Sequence, residues 1–405
     1  MPSSWRPTVL VAFLLAALAG APAGALAKPD VVRFATFNAS LNRAFEGQAV
    51  ADLSTTDNAQ ARAVAEIIQR VRPAVLLINE FDFVEGNVLS DLFQDNYLSI
   101  SQNGAAAIDY PYVFVAPSNT GIPSGFDLNN DGGIGGPDDA FGFGFFPGQF
   151  GMAVFSEFPI DYDAIRTFQL FLWKDMPGAL LPDDPGTDAP ADWYSQEELD
   201  VFRLSSKSHW DVPVTIGRKT VHFLVSHPTP PVFDGAEDRN GRRNFDEIRF
   251  WADYVTPGPT SRYIYDDEGV SGGLKPGERF VIAGDQNSDP LDGDSIPGSI
   301  QQLLEHPLVN TRVTPDSEGA VEASRIQGGA NLLHRSDPRF DTADFSDTAP
   351  GNLRADYVLP RKNLRIVGAG VFWPLLADPL SRLTGVFPFP SSDHRLVWLD
   401  LRVPG

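Results

Sequence analysis

Short apolar runs of strand length, each ending on a polar residue and alternating with stretches of helical period, constrain this chain more than any other feature. Val31 to Phe37 (VVRFATF) reads as a strand ending at Asn38, and Ala74 to Ile78 (AVLLI) as a buried strand running into Asn79 and Glu80. Between them Val64, Ile67, Ile68 and Val71 fall on one face of a helix that stops before Pro73. The rhythm returns later. Val221 to Val225 (VHFLV) leads to Ser226 and His227, and Ile248, Trp251, Ala252 and Val255 mark a second amphipathic helix. Arg279 to Ala283 (RFVIA) reaches Gly284 and Asp285, Tyr357 to Leu359 is a short strand, and Arg395 to Val403 alternates as the last one. Strands alternating with helices predict a layered α/β fold.

The first 27 residues stand outside this pattern. Arg6 supplies a positive start, Val9 to Leu18 is an apolar stretch too short to span a bilayer, and Ala25-Leu26-Ala27 is a small-x-small cleavage signal. The expectation is a cleavable signal peptide, cut after Ala27, and a secreted or periplasmic protein. No later stretch approaches the ~18 apolar residues of a membrane span. Residues 28–405 then read as one domain with two long insertions: 117–150, rich in Gly, Pro, Asp and Phe, and 174–200, which contains LPDDPGTDAPAD. No internal repeat is visible.

Composition removes whole classes of function. With no cysteine, the chain has no disulfide scaffold, thiolate zinc site or cysteine nucleophile. A net charge of −22 disfavours a protein that works by neutralising the phosphate backbone of nucleic acid. Its cations are mostly Arg, the better fork for phosphate, so a local basic pocket is still allowed.

The polar residues of interest sit where predicted strands end: Asn38, Glu80, His227, Asp285 with Asn287, and Asp393 with His394 ahead of the final strand. Open α/β sheets place ligands at strand ends, so these residues can converge on one site. The segments TFN (36–38), INE (78–80), SHPT (226–229), GDQN (284–287), RADYV (354–358) and SSDH (391–394) together resemble, in order, the endonuclease/exonuclease/phosphatase superfamily. That resemblance spans residues 31–403. It implies a deoxyribonuclease I-like four-layer α/β sandwich, with two mixed β-sheets packed face to face and flanked by helices.

It also implies a chemistry that suits these residue types. Hydrolysis of a phosphoester needs an in-line oxygen nucleophile, neutralised non-bridging oxygens and a stabilised leaving oxygen. Glu80 is a hard oxygen ligand for Mg²⁺ or Mn²⁺. By resemblance Asn38 and Asp393 lie beside it, Asp285 positions or deprotonates the attacking water, and His227 hydrogen-bonds phosphoryl oxygens. His394 pairs with Asp356, which fixes its tautomer and favours its protonated form. Either Asp285 or the His394–Asp356 pair can serve as the base. Asp285 and Asn287 alternate along an extended segment, so both are expected to point into the cleft.

Two further groups stand out. Arg239, Arg242 and Arg243 cluster after an active-site strand and, with Lys207 and His209 from SSKSHWDVPV, are candidate substrate contacts: a clamp for an additional phosphate or carboxylate, or else a solvated helix start with Arg243 paired to Glu247. Asp127, Asn129, Asp131 and Asp138 occupy positions 1, 3, 5 and 12 of a calcium-type loop. Gly132 takes the turn at 6, Gly133 follows at 7, and Ile134 is expected to anchor the loop to the core. This predicts a structural Ca²⁺ distinct from the catalytic ion. The leading functional expectation is a secreted, divalent-metal-dependent phosphoesterase acting on a small or organic phosphate ester. An extracellular nuclease of the same fold is the alternative, and a non-catalytic calcium-dependent binding module is the reading from another class.

Overall fold

The computed structural model describes Met1 and residues 31–403, so all but the first residue of the expected signal peptide lies outside the described residues. Thirteen strands form the framework: β1 Val31–Asn38, β2 Val75–Asn79, β3 Tyr112–Phe114, β4 Met152–Ser156, β5 Arg166–Thr167, β6 His209–Ile216, β7 Lys219–Ser226, β8 Arg279–Asp285, β9 Ala343–Asp344, β10 Asn352–Leu353, β11 Asp356–Pro360, β12 Arg365–Val371 and β13 Val397–Arg402. One six-stranded sheet runs β12-β13-β1-β2-β4-β3, a five-stranded sheet runs β11-β8-β7-β6-β5, and β9 with β10 make a small ribbon. Both large sheets are mixed: β1 and β2 are parallel, as are β7 and β8, and their other pairings are antiparallel.

The sheets pack face to face because each strand turns alternate apolar residues inward. Phe34, Val75, Leu77 and Val154 of one sheet meet Val212, Phe223, Val225 and Val281 of the other in one core, with the Phe34 and Phe223 rings 5.6 Å apart. The opposite faces are covered by helices. Helix Ala59–Val71 lays Val64, Ile67 and Ile68 on Ala35, Phe37, Leu76 and Ile78. Helix Arg239–Val255 lays Ile248, Trp251 and Val255 on Leu224, Phe280, Ile282 and Tyr357. The result is the expected four-layer α/β sandwich.

Seven of the thirteen strands escaped the sequence reading, and three of them show the physical reason. β6 carries His209, Asp211 and Pro213, which break the apolar pattern yet are accommodated because the polar side chains find buried partners. β12 contains Gly368 and Gly370 and shifts register between Ile366 and Gly368, as a bulged strand does. β4 is a short run buried on both faces, with no alternation to show. The 117–150 insertion is tied down rather than loose: Asn119 donates to the carbonyls of Gln169 and Ser205 and accepts from Arg203, while Leu128 and Phe141 join the outer core.

Candidate active site

Register decides how the strand ends meet. β1 and β2 run parallel with Asn38 opposite Asn79, so Glu80 emerges one residue beyond the pair, at a left-handed φ of 56°. In the other sheet β11 runs antiparallel to β8, setting Asp356 directly opposite Asp285. The Asp393–His394 turn is held by the ribbon strand, through Asp344 N to Asp393 O and Arg395 N to Thr342 O, each 2.8 Å. These placements converge. Asn38 Nδ2 donates to Glu80 Oε1 at 3.0 Å and to Asp285 Oδ2 at 3.1 Å. His227 Nε2 is 3.3 Å and His394 Nε2 3.6 Å from that same Asp285 oxygen, and His394 Nδ1 is 2.8 Å from Asp356 Oδ2.

The electrostatics follow from burial and pairing. Burial works against charge on the His394 ring, but Asp356 and Asp285 outweigh it and hold the imidazole well above its ordinary value, which favours its protonated form. Burial likewise would raise Asp285, yet the His394 charge and the His227 hydrogen bond hold its carboxyl well below the usual range. Burial pushes Asp356 up to about 6 despite His394 and the Thr342 hydroxyl, which donates at 2.8 Å. His227 is pressed down to about 4 by burial and by Lys207, so its ring is neutral and its Nε2–H can donate to Asp285. An anionic Asp285 is thus shared by an amide, a neutral imidazole and an imidazolium. Such a group can orient or deprotonate a water beside a phosphoryl centre.

The endonuclease/exonuclease/phosphatase family model matches residues 35–394. The chain belongs to this family. Similar solved structures include an endonuclease/exonuclease/phosphatase from Beutenbergia cavernae (17% identity, 93% of this chain and 72% of that one, TM-score 0.48). A family protein from Leptotrichia buccalis has 13% identity over 92% of this chain and 100% of that one, at TM-score 0.45. The human nocturnin catalytic domain with a bound sulfate anion has 12% identity, covering 92% and 93%, at TM-score 0.43. No curated protein matches the sequence. The endonuclease/exonuclease/phosphatase family is one of hydrolases acting on phosphoesters or nucleic acids and is typically dependent on divalent metal.

The acidic residues at this family site fit such an ion. Glu80 keeps an open edge on a cavity, yet its carboxyl is raised to about 7, first by desolvation and then by Asp393 and Asp285, against the Asn38 hydrogen bond. Carboxylates this close repel unless a cation lies among them, which is the donor set a hard divalent ion takes. Asp285, Asp356 and His394 also present ligand atoms within 4.8 Å of one another. That trio is a second group able to hold a metal, and without one its members are joined by the His394–Asp356 and His394–Asp285 contacts. Ser40 and Ser392 hydroxyls reach Asp393 Oδ1 at 3.3 and 3.4 Å and orient it.

Several expectations are corrected. Asn287 does not continue an extended strand: β8 ends at Asp285, Asn287 turns at φ 49°, and its amide donates to Pro228 O at 3.1 Å. His209 is not a substrate contact. Its ring is buried between Ser205 Oγ and Glu247 O, packs on Phe250 and Trp251, and is pressed down to about 3 by burial. Arg243 is neither a free clamp nor Glu247's partner; its guanidinium donates to the carbonyls of Leu204, Phe141 and Arg203, while Glu247 accepts from Ser206 N and Thr229 N. Arg239 lines the cavity but is paired with Glu237. Lys207 is buried at the cavity wall near Glu80 and Asp285; like Arg243 it has no carboxylate in salt-bridge contact among the described residues, but unlike Arg243 its charged group is not taken up by backbone carbonyls there.

In the 127–138 loop, Asp127 and Asn129 oxygens accept from the Asp131 amide, and Asp127 also from Gly132 N. Ile134 is 73% exposed and anchors nothing, and the residue that turns in to close the loop is Asp139, which accepts from Leu128 N and Gly135 N, while Asp138 faces the cavity. Sequence reasoning also missed Asn79 and Thr342. Asn79 Oδ1 accepts from Thr36 Oγ1 and Asp285 N, both at 3.3 Å, and only the register between sheets reveals that role.

Proposed function

We propose that this chain hydrolyses a small or organic phosphate ester by in-line attack of an activated water, with Mg²⁺ or Mn²⁺ held by Glu80, Asn38 and Asp393. One observation carries the reading: Asp285 Oδ2, anionic and buried, lies 3.1 Å from Asn38 Nδ2, 3.3 Å from His227 Nε2 and 3.6 Å from His394 Nε2. When bound, the ion neutralises phosphoryl oxygens and lowers the cost of charge on the leaving oxygen. Asp285 accepts a proton or hydrogen bond from the attacking water. His394, kept cationic by Asp356, donates to a non-bridging oxygen, and Lys207 adds a point charge from the cavity side. Asn38 and His227 hold the Asp285 carboxylate in place.

Export is part of this proposal, supported by the signal-like residues 1–27. So is a structural Ca²⁺ in the 127–138 loop, supported by the spacing of Asp127, Asn129 and Asp131 and by the Asp127 and Asn129 oxygens converging on one turn, with Asp138 turned away to the cavity. The net charge of −22 favours a compact substrate over a long polyanion.

The test is a panel of chromogenic mono- and diesters, inositol phosphates, phospholipid head groups and DNA, assayed with Mg²⁺, Mn²⁺ and Ca²⁺ separately and with chelator. Turnover of a small ester that chelator abolishes, with KM changing little between low and physiological salt, is expected. Efficient DNA cleavage with a logarithmic salt slope of about −0.9 per phosphate contacted hands the site to a nuclease. No turnover of anything, with metal shown to be bound, overturns both.

A further inference from the structure

Beside the Asp285 site lies a cavity of about 500 Å³, a size that encloses an organic molecule rather than an inorganic ion. One wall belongs to the site itself: Glu80, Lys207, His227 and Thr229. The rest includes five aromatic side chains, Phe143, Phe150, Tyr194, Phe202 and Phe233, with Asp138, Arg239 and Arg243 beside them. Tyr194 and Phe202 form the closed end, buried in the outer core, whereas Phe143 and Phe233 stand open at the lip, 50% and 88% exposed.

Two of these rings are placed against backbone preference. Phe150 sits at φ 56° and Phe233 at φ 67°, in the left-handed region that bulky residues avoid. Phe150 is held there by its amide donating to Asp82 Oδ1 at 3.1 Å. Packing a core does not require that conformation of a residue at a lip, and strain of this kind gathers at ligand clamps. The polar wall is incomplete as well. Thr229 Oγ1 and His227 Nδ1, on residues 7% and 3% exposed, have no hydrogen-bond partner among the described residues. Buried polar atoms without partners at a cavity wall are completed by a ligand's own polar atoms.

We propose that the cavity takes the aromatic group of the substrate, so that the ester cleaved at Asp285 carries an aryl or nucleobase ring on the side facing Phe150, Tyr194 and Phe233. Aromatic walls favour a flat ring through stacked and edge-on contacts, and Lys207 with Thr229 marks the polar end where the phosphoryl group meets the site. This specificity rests on the hydrolase reading above but has its own measurement.

Calorimetric titration of the Mg²⁺-loaded protein with methylphosphonate, phenylphosphonate and a nucleoside phosphonate, none of them a substrate, tests it. Phenylphosphonate or the nucleoside compound should bind about tenfold or more tightly than methylphosphonate. Phe233→Ala and Phe143→Ala, at exposed positions where folding is checked by thermal unfolding, should each pull that ratio towards one. The stronger of the two aromatic ligands names the ring class. Equal affinities for all three, or ratios unmoved by both substitutions, overturn the proposal. An aromatic preference in binding with no ester turned over anywhere in the panel leaves the cavity assignment standing and removes the hydrolase reading. Turnover without any ring preference does the reverse.

Discussion

Asn38 Nδ2 donates to Asp285 Oδ2 at 3.1 Å and so joins the end of β1 in one sheet to the end of β8 in the other. The same amide holds Glu80 Oε1 at 3.0 Å, so one side chain spaces the metal-ligand candidate from the water-positioning candidate. Asn38→Ala should lower kcat by about 10²–10³ and weaken activation by Mg²⁺, because two buried carboxylates lose a shared donor. Metal titration of steady-state rates checks this. An unchanged metal requirement with near-normal kcat removes Asn38 from the site.

His394→Ala should cost roughly two to four orders of magnitude in kcat, and Asp356→Asn should fall in the same direction. The double variant should be little worse than His394→Ala alone, since Asp356 acts through the imidazolium at 2.8 Å. Additive losses would mean that the two residues act separately.

The basic residues near the cavity should divide by readout. Arg243→Ala leaves the Leu204, Phe141 and Arg203 carbonyls without their donor and should destabilise the fold by about 2–4 kcal/mol. Lys207→Met should leave the midpoint of unfolding nearly unchanged and raise KM for anionic esters severalfold, because its charge is not committed to a protein carboxylate. Chemical denaturation alongside kinetics separates them. A large stability loss in Lys207→Met with normal KM refutes the division.

Asp341 is buried, and neither carboxylate oxygen has a hydrogen-bond partner among the described residues; desolvation, then Asp289 and Asp292, raises it to about 9. Its folded value lies above its unfolded one, so the neutral acid's contribution is full below about pH 4 and is lost as pH rises towards 9. Asp341→Asn should therefore raise the melting temperature by at least ~2 °C at pH 8 and have little effect at pH 4. Melting curves across that range decide it. A benefit that is flat with pH means that the carboxyl is not held neutral.

Asp127→Ala combined with Asp131→Ala should remove one Ca²⁺ per chain in equilibrium dialysis and lower thermal stability while sparing part of the Mg²⁺-dependent turnover. Asp139→Ala should damage the loop more than Asp138→Ala, since Asp139 holds the Leu128 and Gly135 amides. Unaltered Ca²⁺ stoichiometry in the double variant refutes the calcium assignment.

Local pattern alone determined much of this protein. The apolar runs ending at Asn38, Glu80, His227 and Asp285 named the site strands, and the stripes at Val64–Val71 and Ile248–Val255 named the helices that cover the sheets, because period and strand-end chemistry are properties of neighbouring residues. What tertiary structure decided was partnership. Arg243 and His209 look like free polar groups in the sequence, yet one is consumed by three carbonyls and the other by a core pocket. Asn79 gains its role only across the 206 residues that separate it from Asp285, and Thr342 only because the chain folds its hydroxyl back onto Asp356. Phe143, Tyr194 and Phe233 come from distant loops and become walls of one cavity only when the sheets close. A hydrogen bond or a packed ring acts over a few ångströms, and which residues come that close is set by the fold rather than by their spacing along the chain.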